Sequence, residues 1–205
     1  MACRNVGRLL ARQTAVFLCD LQEKFRPTIQ YFDEIVDVSS RILRTAKILE
    51  LPIVVTEQYP KGLGHTVQAL GLEQFPEIKP IQKTQFSMLT KDVLANLKNN
   101  YPEVKNIVLC GIEAHVCVQG TALEAIESGF DVHVVVDGCS SRTMVDRMFA
   151  FQRMKAAGAW LTTSESVILG LVGDAAHPKF KECQNLIKQS APDSGLLTLL
   201  SNQNI

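Results

Sequence analysis

The chain has 205 residues, and its 21 Lys+Arg residues against 21 Asp+Glu residues give a formal net charge of +0. Hydrophobic residues make up 46% and charged residues 20%, which excludes a disordered chain and suits one folded domain. The chain lacks the surplus positive charge of a dedicated nucleic-acid binder and any apolar run long enough to span a bilayer, so we expect neither nucleic acid nor membrane as a partner.

Short apolar segments alternate with helical patterns along the chain. Strands are predicted at 15–20, 53–56, around 78–81, and at 106–110, 132–136 and 159–162. Helices are predicted at 35–49, 90–97 with Thr90 as its cap, 118–126 ended by Gly129, 145–158 and 167–171, with a long loop at 57–65. This alternation predicts an α/β fold, a three-layer α-β-α sandwich around a mostly parallel sheet. We expect residues 1–205 to form a single domain, with 175–205 as a C-terminal helix and tail.

The ends of the chain and the cysteines bear on compartment and assembly. Three early arginines, Arg4, Arg8 and Arg12, precede the first acidic residue, so a mitochondrial location stays open beside the expected cytoplasmic one, with the nucleus as a further alternative. The six cysteines show no C-x-x-C spacing and several lie in apolar runs, which favours a reducing compartment over a disulfide framework. Leucines at 196, 197, 199 and 200 predict self-association into a homo-oligomer.

Three residues with useful chemistry occupy predicted strand ends or the turns after them: Asp20, Lys83 and Cys117. Ligands of open α/β sheets bind beyond the carboxyl ends of the strands. A thiol where a helix begins is exposed to the positive end of the helix dipole, and the N–H groups of that turn can hold an oxyanion. Each residue also has a structural interpretation: Asp20 as a turn cap, Lys83 as a solvated charge, Cys117 as packing.

Other chemistries lack a matching pattern. His115 lies two positions before Cys117, a separation at which helical side chains point apart, so we expect no direct Cys–His pair. The sequence has no H-x-H or H-E-x-x-H spacing and no D-x-H in the loop after the second strand, and the Gly62-Leu-Gly64 segment is too short for a phosphate-binding glycine loop. We therefore expect neither a metal nor an organic cofactor.

Three segments resemble the motif blocks of the isochorismatase-like cysteine hydrolases: residues 19–25 (CDLQEKF), 82–87 (QKTQFS) and 110–118 (CGIEAHVCV). The resemblance implies a six-stranded sheet in the order 3-2-1-4-5-6, usually in an oligomer, and an Asp–Lys–Cys triad at Asp20, Lys83 and Cys117. It also implies a non-proline cis peptide between Ile112 and Glu113. The backbone N–H groups of Glu113 and Cys117 would then form an oxyanion site.

Two differences between this sequence and known members of the family narrow the expected activity. Isochorismatases that cleave a vinyl ether lack the nucleophilic cysteine, and nicotinamidases carry a D-x-H metal motif where this chain reads TEQY at 56–59. The expected function is thus metal-independent hydrolysis of a small amide, carbamoyl or related carbonyl compound through a Cys117 thioester. Phe25 and Tyr59 are candidate pocket walls, with loop packing as the alternative for both. The alternative function is a catalytically quiet scaffold that binds a protein partner.

Overall fold

The computed structural model describes residues 5–196, and these residues form one six-stranded sheet. Its strands are β1 (Thr14–Cys19), β2 (Ile53–Gln58), β3 (Ile81–Lys83), β4 (Asn106–Gly111), β5 (Asp131–Cys139) and β6 (Trp160–Thr162). All neighbouring strands are parallel, and their order is β3-β2-β1-β4-β5-β6. The strand order implied by the family resemblance is confirmed.

Helices cover both faces of this sheet. They are α1 (Phe32–Ile48), α2 (Pro60–Leu63), α3 (Lys91–Asn100), α4 (Gln119–Glu127), α5 (Met144–Ala156), α6 (Ser164–Val172) and α7 (Phe180–Ile187). Helices α1 and α6 contact each other and the sheet, while α4 and α5 pack together against β5 and β6. This arrangement confirms the three-layer α-β-α sandwich. No described helix combines the length and apolar character needed to traverse a bilayer.

The two central strands are the best-buried part of the sheet, since every residue of β1 and of β4 is buried. Helix ends follow the signals in the sequence. The Thr90 hydroxyl accepts a hydrogen bond from the Val93 N–H at 3.2 Å and caps α3, and Gly129, with a φ of 88°, follows the end of α4. These two helix boundaries match the sequence prediction.

Most predicted elements differ from the structure by a few residues at their ends, and three differences change the local structure. The predicted loop at 57–65 is partly wrong, because β2 continues to Gln58 and a one-turn helix, α2, follows. The weak extended segment around 78–81 is displaced, since β3 ends at Lys83. Strand β5 is longer than predicted because its register against β4 shifts between Leu109 and Gly111, which lets pairing resume at Cys139.

The C-terminal segment packs against its own chain as far as it is described. The Arg41 guanidinium donates to the Gln189 carbonyl at 2.8 Å, and the Arg147 guanidinium donates to the Ser194 carbonyl at 2.6 Å. Leu196 packs against the core. The other leucines expected to drive self-association, Leu197, Leu199 and Leu200, lie outside the described residues, as does Arg4.

Candidate active site

The carboxyl ends of β1, β3 and β4 bring the three predicted site residues to one place. Asp20 follows β1 directly, Lys83 is the last residue of β3, and Cys117 lies in a π-helical turn, Ala114–Val118, between β4 and α4. The chain runs outward from β1 to β2 and β3 on one side and from β4 to β5 and β6 on the other. The site therefore occupies the point where strand order reverses, the usual ligand position in such sheets.

One glycine makes the close approach of β1 and β4 possible. Gly111 has a φ of 120°, and a Cβ atom built on it would lie 2.1 Å from the Cys19 carbonyl oxygen. No side chain fits at that distance, and the conformation itself is one that residues with a Cβ rarely adopt. Gly111 thus sets the separation between the strand that carries Asp20 and the turn that carries Cys117.

Asp20 is buried, and each of its carboxylate oxygens has a defined partner. The Thr56 hydroxyl donates to Oδ1 at 2.7 Å, and the Lys83 ammonium donates to Oδ2 at 2.6 Å. The Asp20 backbone has a φ of 50°, a left-handed conformation that interrupts the alternation of the strand. The local turn and the two donors together fix the orientation of the carboxylate.

Lys83 has no exposed side-chain surface and donates to four oxygens. Besides Asp20 Oδ2, its Nζ atom contacts Gln58 Oε1 at 2.7 Å, the Phe86 carbonyl at 2.9 Å and the Gln85 carbonyl at 3.3 Å. Burial opposes its charge and is the largest influence on it, but Cys19, Asp20 and Cys117 together outweigh burial and raise the pKa of Lys83. The sequence-based alternative of a solvated lysine is wrong.

Cys117 is buried, with 6% of the residue exposed. Its Sγ atom, the Cys19 Sγ atom and an Asp20 carboxylate oxygen all lie within 4.8 Å of one another. The Cys117 carbonyl accepts a hydrogen bond at 2.6 Å from the Thr121 hydroxyl, which in turn accepts from the Met88 N–H at 2.9 Å. These contacts anchor the turn that presents the thiol to Asp20.

Sequence reasoning missed Cys19, Thr56 and Gln58. Cys19 is the last residue of β1, Thr56 pairs with it across the sheet, and Gln58 closes β2, so all three lie at the same sheet edge as Asp20. Burial, a hydrogen bond to Cys117 and the negative charge of Asp20 raise the pKa of Cys19 well above its ordinary value. The position of each residue at a strand end is the sequence feature that points to the site. For Cys19 this feature is hard to recognise, because the residue belongs to an apolar run.

The turn after β4 contains the expected oxyanion residues. The peptide bond between Ile112 and Glu113 is cis. Around it, the Ala114 N–H donates to the Ser140 carbonyl at 2.8 Å. The Glu113 carboxylate is half-buried, with its Oε2 atom 3.8 Å from Arg142 Nε and without a hydrogen bond from the described residues. The neighbouring His115 ring is hydrogen-bonded to the Ser141 hydroxyl at 3.0 Å and not to Cys117.

The two aromatic pocket candidates have different surroundings. Tyr59 is 55% exposed and lines a cleft of about 400 Å³ whose floor includes Lys83. The other lining residues are Pro60, Lys61, Gln82, Thr84, Gln85 and Thr90. Phe25 is half-buried, packs against the hydrophobic core and does not line this cleft, which favours loop packing for that residue.

Two groups of side chains bear on metal binding. Cys19, Asp20 and Cys117 form the one three-ligand group found among residues 5–196, but the Lys83 ammonium on Asp20 would repel a divalent cation there. Near the end of β2, the Glu57 carboxylate accepts hydrogen bonds from the loop that follows: from the Thr66 N–H at 2.7 Å, the Thr66 hydroxyl at 2.9 Å and the His65 ring at 3.1 Å. Burial is the largest single influence on Glu57 and raises its pKa, but the hydrogen bonds together lower the pKa below its ordinary value. The carboxylate therefore holds the loop in place.

Similarity to known proteins shows the family of the chain. Residues 14–166 match the profile of the isochorismatase domain. The chain belongs to the isochorismatase family. Isochorismatase domain-containing protein 2 of Xenopus laevis is 54% identical over 202 residues, which make up 98% of this chain and 97% of that protein.

Several solved structures superpose over most of the chain. A structure described as MAR1 ribonuclease from Caenorhabditis elegans is 53% identical, with a TM-score of 0.88 over 92% of this chain and 96% of that chain. Two YcaC structures are each 26% identical over 98% of both chains. The one from Pseudomonas aeruginosa contains covalent acrylamide (TM-score 0.81), and the one from Escherichia coli is described as an octameric hydrolase of unknown specificity (TM-score 0.83). The family relation establishes a hydrolase fold without naming a substrate.

Proposed function

We propose that the protein is a cysteine hydrolase that cleaves a small amide, carbamoyl or related carbonyl compound without a metal. The observation that carries the proposal is the buried group formed by Asp20, Lys83 and Cys117. The thiol lies within 4.8 Å of a carboxylate, and an ammonium group holds that carboxylate at 2.6 Å. A nucleophile, a proton acceptor and a fixed positive charge are the parts that thiol-dependent acyl transfer needs.

The first half of the reaction forms a thioester. Asp20 takes the proton of the Cys117 thiol, and the sulfur attacks the substrate carbonyl carbon. The backbone N–H groups of Glu113 and Cys117 stabilise the resulting oxyanion. The tetrahedral intermediate then collapses, the carbon–nitrogen bond breaks, and the leaving amine or ammonia takes the proton from Asp20.

The second half releases the acyl group. A water molecule attacks the thioester carbonyl with its oxygen while Asp20 accepts a proton from that water. The carbon–sulfur bond then breaks. The thiolate recovers the proton from Asp20, and the carboxylic acid leaves. Lys83 stays cationic throughout, because its pKa is raised above the ordinary lysine value, and its ammonium group holds the Asp20 carboxylate in place.

Similarity supports this chemistry in part. The Pseudomonas aeruginosa YcaC structure contains covalently bound acrylamide, a small amide with an electrophilic carbon, and the Escherichia coli YcaC is described as a hydrolase. The ribonuclease description of the Caenorhabditis elegans protein makes RNA the second substrate class to test. The formal net charge of +0 favours a small molecule over RNA as the substrate.

Self-association belongs to the same proposal. The octameric assembly of Escherichia coli YcaC supports a homo-oligomer for this chain as well. Helix α5 carries two strongly exposed apolar residues, Val145 at 62% and Phe149 at 58%, that a second copy would cover. Light scattering of the purified protein is expected to give a mass of at least two chains, and a monomer at micromolar concentration would contradict the assembly.

The experiment offers the purified protein a panel of small primary amides and N-carbamoyl compounds and measures ammonia release. Cys117→Ala and Lys83→Ala are compared with Cys183→Ala, which removes a buried thiol on α7, outside the site. Turnover by the wild type and Cys183→Ala, lost in the other two variants, supports the proposal. Turnover that survives in Cys117→Ala contradicts it, and thiol-dependent cleavage of a labelled RNA in place of the amides would favour the second substrate class.

A further inference from the structure

The mechanism above uses one thiol, but the site contains two. Cys19 Sγ and Cys117 Sγ lie within 4.8 Å of each other. Cys19 is fully buried at the end of β1, and Cys117 is 6% exposed on the turn after β4. The slightly exposed residue therefore lies beside a fully buried one, and the two belong to different elements of the fold.

The other described cysteines have structural surroundings. The Cys110 thiol donates to the Phe17 carbonyl at 3.9 Å, and the Cys139 thiol donates to the Leu109 carbonyl at 3.8 Å, both inside the sheet. Burial raises the pKa of Cys110 to about 12 and that of Cys139 well above its ordinary value. Cys183 is buried on α7. Among the cysteines of residues 5–196, the pairing of two thiols beside Asp20 and Lys83 is confined to Cys19 and Cys117.

We propose that Cys19 and Cys117 form a peroxide-sensitive dithiol, in which Cys19 converts oxidised Cys117 into an intramolecular disulfide that a dithiol reductant reverses. The two Sγ atoms lie within 4.8 Å of each other, and a disulfide bond is about 2 Å long. They must therefore approach each other by less than about 3 Å to form the bond. The inference goes beyond the proposed hydrolysis and does not need it, because disulfide formation is measured by mass and not by turnover.

The oxidant is hydrogen peroxide, and the steps balance. Asp20 takes the proton of the Cys117 thiol, the sulfur attacks one peroxide oxygen, and the O–O bond breaks; the departing hydroxide leaves as water with that proton, and Cys117 becomes a sulfenic acid. The Cys19 sulfur then attacks the Cys117 sulfur, the S–O bond breaks, and the departing hydroxyl leaves as water with the Cys19 proton. Two thiols and one hydrogen peroxide give one disulfide and two water molecules.

The order of events follows from burial and charge. Peroxide is expected to reach Cys117 first, because that residue is 6% exposed and Cys19 is 0% exposed, while burial raises the pKa of Cys19 and keeps it protonated. Once Cys117 is a sulfenic acid, Cys19 is the thiol in contact with it. A disulfide at this point blocks the nucleophile and spares it from irreversible oxidation to the sulfinic acid.

The experiment treats the full-length protein with hydrogen peroxide, blocks free thiols with iodoacetamide and digests with trypsin without reduction. Cys19 falls in peptide 13–24, and Cys117 falls in peptide 106–142 together with Cys110 and Cys139. We expect these two peptides to be crosslinked, with fragmentation placing the bond at Cys117. The free thiols titrated after denaturation should fall from six to four and return to six with dithiothreitol.

Variants separate the dithiol from other oxidation. Cys110→Ala, which removes a thiol from the same peptide, should still crosslink, whereas Cys117→Ala should not. In Cys19→Ala, Cys117 should gain two oxygen atoms and stay oxidised after dithiothreitol. Oxidation of wild-type Cys117 to the sulfinic acid without a crosslink overturns the inference, as does a crosslink at Cys110 or Cys139. The wild-type result alone decides the outcome if Cys19→Ala does not fold.

Discussion

The Lys83 ammonium donates a 2.6 Å hydrogen bond to the Asp20 carboxylate, and neither side chain is more than 1% exposed. Separating the two groups costs much free energy, because each charge would then be buried without a partner. The pair also fixes the carboxylate that faces the Cys117 thiol. The stability of the fold and the proposed chemistry therefore share one interaction.

Removing one member of this pair should cost much more stability than removing both charges. Lys83→Met leaves the Asp20 carboxylate buried without its cation and is expected to lower the free energy of unfolding by about 3–5 kcal/mol. The double variant Lys83→Met/Asp20→Asn should recover most of that loss while staying inactive. Urea unfolding of the three variants, including Asp20→Asn alone, checks this; additive losses in the double variant would contradict the coupling.

Thr56→Val tests the second partner of Asp20. The change keeps the shape of the side chain and removes the 2.7 Å hydrogen bond to Oδ1, so kcat should fall about tenfold with little change in KM. Thr45→Val is a matched control, because the buried Thr45 hydroxyl donates at 2.9 Å to the Arg41 carbonyl on α1, outside the site. Equal kcat losses in both variants would assign Thr56 a purely structural role.

Gly111 and Gly120 should respond in opposite ways to an added methyl group. Gly111→Ala places a Cβ atom 2.1 Å from the Cys19 carbonyl oxygen at a φ of 120°, so we expect a loss of more than about 4 kcal/mol or a failure to fold. Gly120 lies in α4 with nothing within 4 Å of a built Cβ atom, and Gly120→Ala should stabilise the protein by up to about 1 kcal/mol. Thermal unfolding of both variants measures the two changes in stability. Equal changes in the two variants would contradict the prediction.

His133 gives the fold a defined acid sensitivity. It lies buried in β5 near Trp160, its Nε2 atom has no hydrogen bond from the described residues, and burial lowers its pKa to about 4. The unfolded chain therefore binds the extra proton between about pH 6.5 and pH 4, and stability falls by about 3 kcal/mol as pH drops through that window.

His133→Phe should remove this dependence, since phenylalanine has a similar shape and no titrating group. Urea unfolding at pH 7, 5.5 and 4 checks the slope, with His177→Gln as a control that changes a histidine outside the sheet. A slope that persists in His133→Phe would place the acid sensitivity in another group.

The sequence predicts more of the fold than of the candidate site. The apolar runs at β1 and β4 predict buried parallel strands, and Thr90 and Gly129 mark helix boundaries, because burial and capping leave local signals. Strand order came from the family resemblance, since periodicity does not record which strands are neighbours. The extension of β5 to Cys139 depends on a register shift against β4, a tertiary feature without a local pattern.

The candidate site was predictable where motif and strand end coincide, as at Asp20, Lys83 and Cys117. Cys19 was interpreted as packing because its place in an apolar run gives no sign that its thiol faces Cys117. Thr56 and Gln58 were missed because their roles arise from register: parallel pairing aligns Thr56 with Cys19 and Gln58 with Lys83. Such contacts require the packed sheet.

The central claim, that Cys117 becomes acylated during turnover, is tested most directly by acid quenching of the protein with a substrate from the amide panel, followed by mass spectrometry. The account predicts a mass increase equal to the acyl group, located on peptide 106–142 at Cys117 and missing from Cys117→Ala. Substrate consumption with an unmodified Cys117 at every quench time, and undiminished turnover in Cys117→Ala, would contradict it.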